Sequence, residues 1–191
     1  MELTVHFTAD LHLGHLRLAA NRGFRTVAGH DAAVMSALYE LDPDTDTLWV
    51  LGDVSSSSRS GFEYALEQLS TVRVPMHLVL GNHDAAHPTR EDSEWYRELC
   101  ELVFDTVQES AEVELGGRTV SLSHFPYLNT RDRYSRKDFQ KWQVMDNGGL
   151  LLHGHTHSSQ RRSGDRSVCV SLEAWNLRPA SADEVLAEFG V

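Results

Sequence analysis

Apolar and polar positions change rhythm several times along the chain, and each change marks an element. Leu3-Thr4-Val5-His6-Phe7-Thr8-Ala9 alternates with period two, as a half-buried strand does. Thr47-Leu48-Trp49-Val50-Leu51 and the run Val74 to Leu80 read as two further strands, each stopping at a glycine. Between them the period lengthens. A short helix is expected over Leu16 to Arg22, closed by Gly23. A second is expected from about Asp31 to Leu41, with Val34, Met35, Leu38 and Leu41 on one face. A third runs from Gly61 to Val72 with Phe62, Ala65, Leu66 and Leu69 inward. Residues 92–102 predict a fourth, with Trp95, Leu99 and Leu102 as its apolar face.

Strands alternating with helices imply a mainly parallel sheet with right-handed crossovers. From Val103 the character changes. Val113-Glu114-Leu115 and Thr119-Val120-Ser121-Leu122 flank Gly116-Gly117, a hairpin signature. Leu150-Leu151-Leu152 and Val168 to Leu172 supply two more strands, and Ser181-Ala182-Asp183-Glu184 is a capping box opening a C-terminal helix. At 191 residues and 41% hydrophobic, the chain is expected to form one domain, residues 1–191, with a substantial core. It holds no apolar run of about 18 residues, so no membrane-spanning helix is expected. The N-terminus enters a strand at once, without a basic leader segment. Two distant cysteines, Cys100 and Cys169, read as reduced core thiols, and a cytoplasmic location follows from that reading. A net charge of −11 argues against coating nucleic acid, which leaves nucleic acid as a partner only in the role of substrate.

Eleven histidines hint at metal, and their placement sharpens the hint. Asp10 and His12 follow the first strand, Asp53 the second, and Asn82-His83-Asp84 the third. His124 follows the second strand of the hairpin, and His155 with His157 follows Leu150-Leu151-Leu152. Loops beyond the carboxyl ends of such strands are where α/β sheets build their sites. Asn82 offers a neutral amide oxygen to a hard cation, and His83 a proton that titrates near neutrality. Asp84 can orient His83 or cap its own loop. Mixed nitrogen and oxygen donors without thiolate suit manganese, iron, zinc, nickel or cobalt better than a soft copper site. No G-x-G-x-x-G follows the first strand, which excludes a Rossmann-type dinucleotide binder. His6 and His153 read as strand residues with satisfied hydrogen bonds.

In order, these fragments are D-x-H, G-D, G-N-H-D, a lone H and G-H-x-H. They resemble the five motifs of the calcineurin-like metallophosphoesterase superfamily, from Asp10 to His157, with no ligand position altered. Phe7 to His15 and the tail Trp175-Asn176-Leu177-Arg178-Pro179 look like the small, cap-less bacterial and phage members. The resemblance implies an α/β fold, a four-layer α/β/β/α sandwich of two mixed sheets, with two divalent metal ions as cofactors, manganese first among them. Asp10, His12, Asp53 and His157 would hold one ion. Asp53, Asn82, His124 and His155 would hold the other, with Asp53 bridging. Ions ~3.5–4 Å apart clamp phosphoryl oxygens and make a bridging hydroxide available for attack on phosphorus. His83, oriented by Asp84, would act on the leaving oxygen as a catalytic group.

The expected activity is therefore hydrolysis of a phosphoester substrate. No long insertion between motifs supplies a lid, and an open cleft favours a phosphodiester. The alternatives are a phosphomonoesterase acting on nucleotides or phosphoproteins, a nuclease, and a non-catalytic scaffold. His15 either reaches the substrate or stabilises its turn. The basic loop of Arg131, Arg133, Arg136 and Lys137 either grips phosphate or is solvated. A dimer or other oligomer would be unsurprising.

Overall fold

Five strands of the N-terminal part and the tail form one sheet, and four strands of the middle form another. The computed structural model describes residues 3–56, 58–128 and 137–190. In the first sheet β1 (Thr4–Thr8) pairs in parallel with β2 (Asp46–Val50), β2 with β3 (Met76–Val79), and β3 with β4 (Thr106–Gln108). A two-residue β9 (Ala180–Ser181) closes its other edge antiparallel to β1. In the second sheet β5 (Ser110–Leu115) and β6 (Arg118–Ser123) form the hairpin, and β7 (Leu150–His153) and β8 (Ser167–Cys169) continue it in parallel. Both turn glycines take positive φ, 55° at Gly116 and 73° at Gly117, which a two-residue hairpin needs and a side chain would resist. The fold is thus α/β with two mixed sheets, as the motifs implied.

The helices are α1 (Leu16–Asn21), α2 (Val27–Tyr39), α3 (Arg59–Leu69), α4 (Ser93–Cys100) and α5 (Ala182–Phe189). Val34, Met35 and Leu38 of α2 and Phe62, Ala65, Leu66 and Leu69 of α3 share one apolar cluster with Leu48, Val50 and Leu78 of the first sheet. A second cluster lies between the sheets, where Phe7, Leu51 and Val79 meet Val120, Leu122 and Leu152. Val185 of α5 and the fully buried Trp175 belong to this second cluster. The capping box is formed at both ends: Ser181 accepts from Glu184 N–H and the Glu184 carboxylate accepts from Ser181 N–H. No helix among the described residues is long and apolar enough to cross a membrane.

Two sequence readings are corrected. α2 starts at Val27, four residues before Asp31, because Thr26 caps it by accepting from Gly29 N–H at 3.1 Å. This places His30 and Asp31 inside the helix, where both are buried. On α4 the inward face is Tyr96 and Cys100, while Trp95 is 51% and Leu102 82% exposed. The helix ends at Cys100, so Leu102 lies beyond its last turn, and spacing alone could not tell Trp95 from its neighbour Tyr96.

Candidate metal centre

Parallel pairing brings the carboxyl ends of β1, β2, β3, β6 and β7 to one rim, and the candidate residues follow those ends. Beyond the strands the loops keep running side by side. Asp10 N–H donates to Gly52 carbonyl at 2.9 Å, and His12 N–H to Asp53 carbonyl at 3.0 Å. The two sheets are joined at the same rim: His155 N–H donates to Asp10 Oδ2 at 2.9 Å, and His124 Nδ1 to Leu51 carbonyl at 2.8 Å. The glycines of G-D and G-N-H-D make this closeness feasible. A methyl at Gly52 would stand 2.5 Å from Gly81 nitrogen, and one at Gly81 2.5 Å from Asp53 nitrogen. Asp10, His12, Asp53, His155 and His157 all take positive φ, between 48° and 68°, a conformation that side chains other than glycine adopt at a cost.

The side chains gather in two groups. Donor atoms of Asp10, His12 and His157 lie within 4.8 Å of one another, and so do those of Asp53, His124 and His155. Asn82 joins the second group, its Oδ1 3.2 Å from His124 Nε2. Asp53 stands between the groups: its Oδ2 is 3.7 Å from His12 Nε2 and 3.4 Å from His124 Nε2.

The imidazole tautomers decide what these groups can do. His12 Nδ1 faces Ser55 carbonyl at 2.9 Å, and a carbonyl only accepts, so Nδ1 carries the hydrogen. His157 Nδ1 likewise donates to Glu173 Oε1 at 2.8 Å. The two Nε2 atoms then face each other at 3.2 Å with their lone pairs. His124 Nδ1 donates to Leu51, so its Nε2 lone pair meets Asn82 Oδ1 and, at 3.2 Å, His155 Nδ1. Acceptors converging on acceptors repel unless a cation, a proton or a metal ion, sits among them. This donor set fits divalent cations.

The charges say the same. Burial alone would lower His124, but the Asp53 carboxylate outweighs it and raises the group above its ordinary range. Asp53 is lowered despite burial, held by His124. Burial drives His12 down to about 3, with Asp53 and Asp10 only partly opposing. His157 is raised against its burial by Asp10 and Glu173. The raised His124 beside the buried Asp53 carboxylate marks a place that favours positive charge.

His83 lies at the rim, its side chain 40% exposed and its Nε2 3.9 Å from Asp53 Oδ2, while its N–H donates to Asp53 Oδ1 at 2.8 Å. Asp84 is fully buried and accepts from Gly81 N–H at 2.8 Å, Asp53 N–H at 3.0 Å and Val54 N–H at 2.9 Å. The carboxylate expected to orient His83 thus ties the β2 and β3 loops together. Burial, then the nearby Asp53 charge, raises its pKa. His15 lines the cleft, its ring 5.4 Å from that of His12. Arg131, Arg133 and Arg136 lie outside the described residues. His153 sits at the end of β7, with Nδ1 2.8 Å from Gly154 carbonyl.

Three residues that sequence reasoning passed over support the Asp10 group. Ser171 donates its hydroxyl to Asp10 Oδ2 at 2.5 Å. Glu173 Oε1 accepts from both His157 and Arg22 Nε, the latter at 2.9 Å. Arg22, its side chain 4% exposed, also donates to the carbonyls of Asp10 and Leu11 at 2.6 and 3.1 Å, and to His30 Nε2 at 2.9 Å. His30 in turn donates to Asp31, whose Oδ2 accepts from Gly14 N–H at 3.0 Å. A buried polar chain from α2 therefore fixes the Asp10–His15 loop.

Fold and site together define an α/β protein of two mixed sheets with two candidate groups for divalent cations at one rim. Comparison with known proteins gives the family. Residues 3–181 match the calcineurin-like phosphoesterase superfamily domain, and the chain belongs to that superfamily and is a phosphoester hydrolase. It is 38% identical to the Gene 66 protein of Mycobacterium phage L5 over 190 residues, covering 94% of this chain and 90% of that one. It is 26% identical to the UDP-2,3-diacylglucosamine hydrolase of Pseudomonas entomophila (strain L48), over 96% and 76% of the two chains. Among solved structures, a protein of unknown function from Aquifex aeolicus has the same fold, with a TM-score of 0.70, 23% identity, and coverage of 98% of this chain and 100% of that one.

Proposed function

We propose that this chain is a phosphodiesterase that works with two divalent cations, manganese the first choice, in the cytoplasm. The observation that carries the metal reading is the facing of two Nε2 lone pairs, His12 and His157 at 3.2 Å, beside the second group of Asp53, His124 and His155. Asp10, His12, Asp53 and His157 would hold one cation, and Asp53, Asn82, His124 and His155 the other. When bound, such a pair supplies Lewis acidity toward phosphoryl oxygens and a water acidic enough to attack phosphorus near neutral pH. His83, on the exposed side of Asp53, would donate a proton to the leaving oxygen. Asp84 acts as a positioning residue, since its three backbone bonds set where Asp53 and His83 stand. The diester preference rests on the cleft, which has a volume of about 1100 Å³ above the ligands. Two buried, unbridged cysteines suit a reducing compartment.

The test is manganese loading followed by turnover of bis-p-nitrophenyl phosphate and p-nitrophenyl phosphate. The expected result is two metal ions per chain, faster hydrolysis of the diester, and loss of turnover in His83→Ala with metal content retained. Faster hydrolysis of the monoester would replace this reading with a phosphomonoesterase. Metal binding with no turnover of either ester would point to a scaffold.

A further inference from the structure

The cleft above the metal ligands is charged oppositely to the chain. The protein as a whole carries −11, yet Asp53 is the one carboxylate among the described lining residues, and two guanidinium groups, Arg17 and Arg90, share the walls with it. Neither arginine forms an ion pair with a carboxylate among the described residues. Arg17 follows His15 by two residues on α1 and so stands on the side of the Asp10 group. Arg90 is tied to the Asp53 group: it donates from Nη2 to Asn82 carbonyl at 3.3 Å and from its backbone to His87 carbonyl at 2.9 Å. That leaves most of its five N–H donors for a ligand.

Charge balance then asks for more anion than one ester supplies. Two divalent cations among Asp10 and Asp53, with a hydroxide and the single negative charge of a diester, come out neutral. The Glu173 charge is answered by Arg22 at 2.9 Å. Arg17 and Arg90 remain without a counter-charge, beside cations that repel them. Guanidinium groups held in such a place match phosphate, which they bind with charge-assisted, often paired hydrogen bonds. Leu18 and Phe139 on the same walls give the organic part of a substrate an apolar surface.

We propose that the natural substrate carries a second phosphate on its organic part, read by the guanidinium groups that line the cleft, Arg17 and Arg90. This inference rests on the phosphodiesterase reading and deepens it. The test compares two diesters with the same leaving group: thymidine 5′-(p-nitrophenyl phosphate), and the same ester bearing a 3′-phosphate. The doubly phosphorylated ester is expected to show kcat/KM higher by about tenfold or more. In the Arg17→Gln/Arg90→Gln double variant the ratio should fall to near one, and Arg17→Lys/Arg90→Lys should restore part of it. A ratio near one in the wild type, or one unchanged in the double variant, overturns the proposal.

Calorimetry on the calcium-loaded protein makes the same comparison without turnover, using thymidine 3′,5′-bisphosphate against thymidine 5′-monophosphate. If neither ester is hydrolysed, the phosphodiesterase reading falls, and the affinity ratio alone decides this one. A short oligothymidylate that competes better than the bisphosphate assigns the second phosphate to a nucleic-acid backbone. Weaker competition assigns it to a free nucleotide.

Discussion

The two ligand groups are held in different ways. Asp53 and His124 sit among strand ends and are fixed largely by main chain: Asp84 bonds the amides around Asp53, and Leu51 carbonyl holds His124. Asp10 accepts the His155 amide, and to this Asp10 and His157 add side chains from the segment after β8, Ser171 and Glu173, with Glu173 bound in turn by the buried Arg22. His157 is also 31% exposed, whereas Asp53 and His124 are almost wholly enclosed. One half of the site is thus part of the sheet architecture. The other is clamped from outside by residues that could change without disturbing a strand.

The largest effect should come from the residue the halves share. Asp53→Asn is expected to cut kcat/KM by about 10² or more and to lower metal content at both positions, read by metal analysis of the purified variant. Retention of two tightly bound ions would break the assignment of Asp53 as the bridge. Next comes Trp175→Ala. This fully buried indole donates to Cys169 carbonyl at 2.8 Å and anchors the segment bearing Ser171 and Glu173. Its truncation should cost about 3–5 kcal/mol in denaturant unfolding. If the halves differ as described, the metal released first on titration with chelator should be the one at the Asp10 group.

Glu173→Gln isolates that half without emptying the core. The amide can no longer answer both His157 and Arg22 with a negative charge, so one of two ions should bind about 10–100-fold more weakly. Equal weakening of both would show the groups to be one unit. Glu184→Gln, in the first turn of α5, serves as the reference for an electrostatic change outside the site. The bond from Arg178 holds Glu184 down to about 2 from an ordinary 4.5. A lowered acid stabilises the fold above its unfolded pKa, and the gain is lost as pH falls from 4.5 toward 2. The pair is partly exposed, so wild type and variant should differ by less than about 1 kcal/mol above that window and converge below it, with metal content unchanged.

The asymmetry also explains what could be read from sequence. Each residue of the two groups stands within a few positions after an apolar run, and strand plus ligand is a pattern that survives in one dimension. Ser171, Glu173 and Arg22 have no such marker. Glu173 lies on a single 3-10 turn, Leu172–Ala174, and its partner His157 is sixteen residues earlier. Only packing of the tail across the rim brings them together. Asp84 shows a subtler gap: its position in G-N-H-D was legible, but the three amides it binds come from two loops about thirty residues apart. The α4 face was misread for a related reason, because a helix of eight residues offers too few turns for spacing to choose between Trp95 and Tyr96.

The rim where β1–β3 meet β6–β7 is a seam, and the candidate ligands come from both sides of it. Asp10, His12, Asp53 and Asn82 belong to one sheet's loops, His124, His155 and His157 to the other's. An ion held there would rivet two layers that otherwise adhere through apolar contact. By thermodynamic linkage, each ion at a hundredfold excess over its Kd adds about 2.7 kcal/mol to the folded state. Chelation should therefore lower the melting temperature and loosen amide protection along the seam before it touches α2 or α3, so that the melting curve itself gauges how much divalent ion the protein has met.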